Sequence, residues 1–91
     1  MSPSSQPITV ELRYFASVRE AVGVGSETLV TAAPTAAALR DELIARGGAW
    51  ASSLSRDRAV RLAVNQVLQQ DENVMLASGT EVAFFPPVTG G

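Results

Sequence analysis

The chain has 91 residues, seven Lys+Arg against nine Asp+Glu, and a net charge of −2, which fits one small domain and argues against nucleic-acid or anionic-membrane partners. With 46% apolar and 18% charged residues the composition is globular, not disordered. Cysteine and histidine are absent and all seven basic residues are arginine, which excludes disulfides, thiolate metal sites, thiol or imidazole catalysis and Schiff-base or Walker-type lysine chemistry on this chain.

Residues 1–7 are rich in Ser, Pro and Gln and read as a mobile N-terminal extension ahead of a domain over 8–86. They lack the apolar stretch of a signal peptide, and no apolar run approaches the ~20 residues that span a bilayer, so a cytoplasmic address is expected. From Ile8 the pattern has period two: Ile8, Val10, Leu12 and Tyr14 share one face, and Thr9, Glu11, Arg13 and Phe15 the other. That is a half-buried strand. Phe15 to Val22 fits one or two helical turns stopped by Gly23 and Gly25. Glu27 to Thr31 reads as a second strand.

Pro34-Thr35 marks a helix start, with the Thr35 hydroxyl as cap. Ala36, Leu39, Leu43 and Ile44 then recur at helical spacing, Glu42 and Arg46 stand four apart in the favourable order, and Gly47-Gly48 closes a helix expected over 36–46. Trp50 and Leu54 suggest a short turn that packs the indole over the core. Val60, Leu62 and Val64 alternate with Arg61 and Ala63 as a third strand. Asn65-Gln66 is its turn and Val67-Leu68 a short return. Residues 71–79 form a polar loop. Glu81 to Phe85 is the last strand, stopped by Pro86-Pro87, which cannot donate to a ladder. The order predicts an α+β domain: a mixed sheet of four to five strands with one main helix across it. The first and last strands, apolar on both faces, are expected side by side at its centre.

Most polar groups carry bland readings. Gly23-Val24-Gly25 lacks the third glycine and the preceding strand of a dinucleotide fingerprint, so it reads as a loop. Asp57, flanked by Arg56 and Arg58 with Arg61 nearby, reads as a mutually paired solvated cluster. Glu11, Glu27 and Glu81 could line one sheet, but nothing brings two carboxylates together for acid-base work. Asp71-Glu72 has no metal-ligand spacing. Phe84 and Phe85 are more informative. Adjacent strand residues point to opposite faces. One phenyl enters the core and the other faces out near Phe15, as a partner patch unless Trp50 or a loop covers it.

The end of the chain is the strongest signal. Gly90-Gly91 follows a sharp sheet terminator, and side-chain-free backbone can thread a narrow channel. Residues 87–91 read as a flexible tail. The four residues after Pro87 reach at most ~13 Å, which carries the Gly91 carboxylate clear of the domain.

The segment from Val82 to Gly91 resembles the C-terminal signature of the sulfur-carrying small subunits of molybdopterin synthase. Val10 to Glu20 with Gly23, Ala63 to Gln66 and Gly79 to Phe85 are similar to other segments of that family, so the likeness runs over residues 8–91. It implies a ubiquitin-like β-grasp fold and a chain that is not catalytic alone. It implies that Gly91 is adenylated by an ATP-dependent activating enzyme, which would use ATP and magnesium. A sulfur donor protein then converts it to a thiocarboxylate. The tail, over Pro86, Pro87, Val88, Thr89 and Gly90, would enter the large synthase subunit and deliver sulfur to cyclic pyranopterin monophosphate. The assembly implied is a heterotetramer of two small and two large subunits. Phe15 with Phe84 or Phe85 would form the docking patch. No cofactor or metal is expected on the chain itself. Two other readings stand beside this one: a carrier serving thiamine or cysteine biosynthesis or lysine modification, and a β-grasp binding module with an inert tail.

Overall fold

A computed structural model describes residues 7–87. Most of the expected N-terminal extension, and Val88, Thr89, Gly90 and Gly91 of the expected tail, lie outside the described residues. The elements are β1 (Ile8–Tyr14), α1 (Ala16–Val22), β2 (Ser26–Thr31), α2 (Ala36–Ile44), α3 (Gly48–Leu54), β3 (Arg61–Val64), β4 (Val67–Gln69) and β5 (Glu81–Phe85). One five-stranded sheet has the order β2-β1-β5-β3-β4. β1 and β5 run parallel at its centre; the other neighbours are antiparallel. This is the mixed α+β sheet the element order predicts, with five strands, and the ubiquitin-like β-grasp arrangement the family resemblance implies.

Local chemistry accounts for the boundaries. Gly23 ends α1 at φ 87, a left-handed cap that costs glycine little, and its N–H donates to the Arg19 carbonyl. The Thr35 hydroxyl accepts from the Ala38 N–H at 3.2 Å and caps α2. α2 ends at Ile44, two residues short of the expected boundary, because Gly47 at φ 77 turns the chain into α3. Asn65 and Gln66 take φ 51 and φ 70 between the paired Val64 and Val67. Two positive-φ residues in a two-residue hairpin match the right-handed twist of the flanking strands.

The core lies between the sheet and the helices. Val10, Leu12 and Tyr14 of β1, Leu62 and Val64 of β3, and Val82 and Phe84 of β5 meet Leu39 and Leu43 of α2 and Leu54 of α3. Each such aliphatic side chain, fully withdrawn from water, stabilises the fold by about 1.5–3 kcal/mol before entropy is counted. Tyr14 and Phe84 are register partners on adjacent strands and their rings stack at 6.2 Å.

Two expected charge pairings are replaced. Arg46 does not pair with Glu42; it donates to both oxygens of Glu27 at 2.8 and 3.1 Å and lies 4.9 Å over the Trp50 ring. Glu42 instead accepts from the Thr31 hydroxyl. Nor is the 56–61 cluster mutually paired. Arg56 bonds Asp41 and Glu72, at 2.8 and 2.7 Å. The reason is the same in both cases: the fold brings a carboxylate from a distant segment into better geometry than the local one offers. Arg40, 4% exposed, is the most buried cation. Its guanidinium donates to Glu72 at 2.7 Å and to the carbonyls of Leu54 and Ser55 at 2.7 and 2.9 Å, tying α2 to the end of α3 and to the 71–79 loop.

Candidate functional site: the outer sheet face and the exit of the last strand

β5 is hydrogen-bonded on both sides. It pairs with β1 through Glu11–Tyr14 and with β3 through Arg61–Val64. The ladder stops after Phe85 because Pro86 and Pro87 have no N–H to donate. The chain therefore leaves the sheet from a central strand, as the apolar first and last strands predict, and at the point the sequence reading marks with Pro86 and Pro87.

Alternation along β5 decides which phenylalanine does what. Phe84 is 0% exposed and belongs to the core. It is withdrawn from the expected docking patch, because a ring packed against Tyr14 beneath the helices cannot meet a partner. Phe85 is half-buried on the opposite face. Phe15 is 45% exposed, and its N–H donates to the Phe84 carbonyl at 3.1 Å, so the two outward rings sit on neighbouring strands at one end of the sheet. Trp50 does not cover this face. Its indole N–H donates to the Tyr14 hydroxyl at 3.4 Å, on the core side.

The outer face has a floor that the sequence reading did not single out. Register sets Leu68 beside Ala63, Ala63 beside Ala83 and Ala83 beside Arg13. Leu68 is 50% exposed, and Arg61 stands opposite Phe85. Two adjacent alanines make a shallow apolar strip between Leu68 and Phe85, edged by guanidinium groups. Period two on β3 and β5 carried this information, since Ala63, Ala83 and Phe85 all fall on the phase opposite Leu62, Val82 and Phe84.

Carboxylates lie along the same face in a way that spacing alone did not reveal. Glu11 and Glu81 are register partners across β1 and β5, whereas Glu27 lies on the other face. Each outer carboxylate has a separate partner. Glu11 accepts from the Thr28 hydroxyl at 3.0 and 3.1 Å, and Glu81 lies 3.5 Å from Arg13. On the core side, hydrogen bonds from Arg46 hold the Glu27 carboxyl below its ordinary range, and the Tyr14 hydroxyl donates to it at 2.8 Å. Burial pushes the Tyr14 phenol well above its usual value. These groups fix β1, β2 and α3 to one another; none faces the exit of β5. Among the described residues no group of His, Cys, Asp or Glu has the arrangement of a metal site, and no helix is long and apolar enough to cross a membrane.

A domain with an apolar outer sheet face and a chain end that departs from its centre can dock against a second protein and present its terminus there. The sequence profile of the ThiS family matches residues 12–91. The chain belongs to the ThiS family. It is 43% identical over 82 residues to the molybdopterin synthase sulfur carrier subunit of Escherichia coli K12, covering 90% of this chain and 99% of that protein. The solution structure of the Haloferax volcanii HVO 2177 protein superposes with a TM-score of 0.77 at 30% identity, over 93% of this chain and 88% of that one. A Helicobacter pylori protein-protein complex of subunits 1 and 2 of molybdopterin-converting factor contains a chain similar to this one at a TM-score of 0.62 and 26% identity, over 92% and 100% of the two chains. In that setting the Gly-Gly signature read from the sequence lies within the segment this ThiS-family chain shares with its relatives.

Proposed function

We propose that this ThiS-family chain is the sulfur carrier of a molybdopterin synthase and that the Gly91 carboxyl is its working group. A carboxylate is a poor electrophile. Attack of its oxygen on the α-phosphate of magnesium-bound ATP, held by an activating enzyme, forms an acyl-adenylate and releases pyrophosphate. The persulfide of a sulfur donor protein then attacks the acyl carbon and expels AMP, and a thiol cleaves the resulting acyl disulfide, releasing the thiocarboxylate and leaving a disulfide on the donor. Gly90 and Gly91 give the clearance to enter a partner's active site, and Pro86 and Pro87 stiffen the departure from the sheet. The catalytic groups belong to the partner, so this chain is a substrate-like subunit in the cytoplasm and not an enzyme alone. The observation that carries the reading is the 43% identity that spans 99% of the E. coli sulfur carrier subunit.

The outer face supplies the docking surface. The strip from Leu68 through Ala63 and Ala83 to Phe85, with Phe15 beside it, suits an apolar patch on a large subunit rimmed by carboxylates that meet Arg13 and Arg61. The pairing of subunits 1 and 2 in the H. pylori complex supports this choice of partner. Intact mass spectrometry tests the chemistry. Incubated with activating enzyme, ATP, magnesium and a sulfur donor, the chain should exchange one terminal oxygen for sulfur. Deletion of Gly91 should abolish the exchange and leave folding intact. A chain that folds and binds partners yet never gains sulfur is a binding module with an inert tail.

A further inference from the structure

The two borders of the sheet are built differently. β4 is three residues long and offers little ladder to another strand. β2 has six residues, pairs with β1 at six consecutive positions without a bulge, and has no strand on its other side among the described residues. Short strands, bulges, prolines and outward charges are what keep such an edge from pairing. β2 has none of these. Its one charged residue, Glu27, is held by Arg46 and Tyr14 on the core side. Ser26, Thr28 and Val30 have exposed side chains on the outer face, Val30 at 64%.

Hydrogen-bond phase decides what this edge offers. The Tyr14 N–H donates to the Gly25 carbonyl at 2.9 Å, and the same register continues through Leu12 with Glu27, Val10 with Leu29 and Ile8 with Thr31. Bonded and non-bonded pairs alternate along an antiparallel ladder. Glu27, Leu29 and Thr31 therefore turn their backbone groups to β1, and Ser26, Thr28 and Val30 turn theirs to the open border. Among the described residues no loop or turn takes these groups up.

We propose that the occupant of this edge is β2 of a second copy of the chain, antiparallel about a two-fold axis through Thr28. The outward residues are centred on Thr28, so the axis sets Thr28 opposite its own copy and Ser26 opposite Val30 at both ends. Each pair exchanges both of its bonds, so every outward N–H and C=O of the three residues is satisfied. Glu27 falls opposite Leu29, and no like charges meet directly. Moving the axis to Leu29 would leave Ser26 against Ala32, beyond the strand. The two-fold pair closes on itself, whereas β2 against the short β4 would leave much of β2 open and propagate as a filament. An edge of six residues covers less than the ~800 Å² that a standard interface takes from each partner, so the pair is weak and forms with concentration. The strip from Leu68 to Phe85 lies on β4, β3 and β5 and stays free, so the pairing neither needs nor blocks a synthase subunit docked there.

Sedimentation equilibrium and amide spectra of the full chain, from micromolar to millimolar concentration, test this with no partner present. The expected result is an average mass that rises from one chain toward two. Concentration-dependent shifts and several-fold slower hydrogen exchange should appear at the Ser26, Thr28 and Val30 amides and not along β4. Two double variants then read the register. Ser26→Glu with Val30→Glu sets like charges opposite each other at both ends of the pairing, and Ser26→Glu with Val30→Lys sets opposite charges there. Both keep the β1 ladder, since Ser26 faces Arg13 and Val30 faces Thr9. The first should associate about tenfold more weakly than the second. A chain that stays single at millimolar concentration overturns the proposal. So does association whose shifts fall outside β2, or in which the two variants rank equally or in reverse.

Discussion

The two faces of the sheet use the same strands for opposite ends. On the inner face Val10, Leu12, Tyr14, Leu62, Val82 and Phe84 are sealed beneath α2 and α3. On the outer face Ala63, Ala83 and Phe85 lie one residue out of phase with them and stay outside the core cluster. Phe84 and Phe85 are identical in chemistry and adjacent in sequence, yet one is sealed in the core and the other lies half-buried on the opposite face. Position on the pleat, not residue type, assigns the role. One strand can therefore put one phenylalanine in the core and leave the next outside it.

The sharpest way to break this contrast is at Phe84. Phe84→Ala should cost about 3–5 kcal/mol, read by urea unfolding, because a fully buried ring leaves a cavity. A loss below about 1 kcal/mol would mean that the inner face is not the stabilising one. Arg40 probes the same side by a different force. Arg40→Met should destabilise by about 1–3 kcal/mol, since it leaves the Leu54 and Ser55 carbonyls without their donor and Glu72 with Arg56 alone. Phe85→Ala should do the reverse of Phe84→Ala. Stability should change by about 1 kcal/mol or less, while affinity for a synthase large subunit, read by calorimetry, falls at least about tenfold. Equal effects of Phe84→Ala and Phe85→Ala on both readouts would erase the division.

The smallest effect concerns pH. Arg46 lowers the folded pKa of Glu27 below its unfolded value. The stability this pair contributes is thus present above the unfolded pKa and is lost as pH falls through the folded one. Glu27→Gln should therefore be less stable than wild type near neutrality, with the gap closing as unfolding is repeated at lower pH. A gap that stays constant would show that the carboxylate charge is not involved.

Much of this was legible before the structure. Period two marked β1 and β3, Pro86-Pro87 marked where the sheet ends, and Thr35 and Gly47 marked the limits of α2 to within two residues. These signals are local and each rests on a backbone constraint. The Gly-Gly signature was equally plain as sequence, although its residues lie outside the described ones. What spacing could not supply depends on chain segments far apart. Arg40 sits between Leu39 and Asp41 like any helix-surface cation, and only the approach of residues 54–55 and of Glu72 makes it an interior clamp. Glu27 is found by Arg46 across 19 positions of sequence, in preference to the nearer Glu42. Which phenylalanine faces outward needed one further bit, the phase of β5 against β1, which the parallel register of Tyr14 with Phe84 supplies.

The parallel pairing at the middle of the sheet has a mechanical consequence. β5 is bonded to β1 on one flank and β3 on the other, and the polypeptide continues from its end. A partner that grips the last residues and tugs along the strand loads both ladders in shear, so their bonds resist together instead of unzipping one at a time. An edge strand would peel. Anchored this way, β5 withstands a pull on its C-terminal end better than a strand at the border of the sheet would.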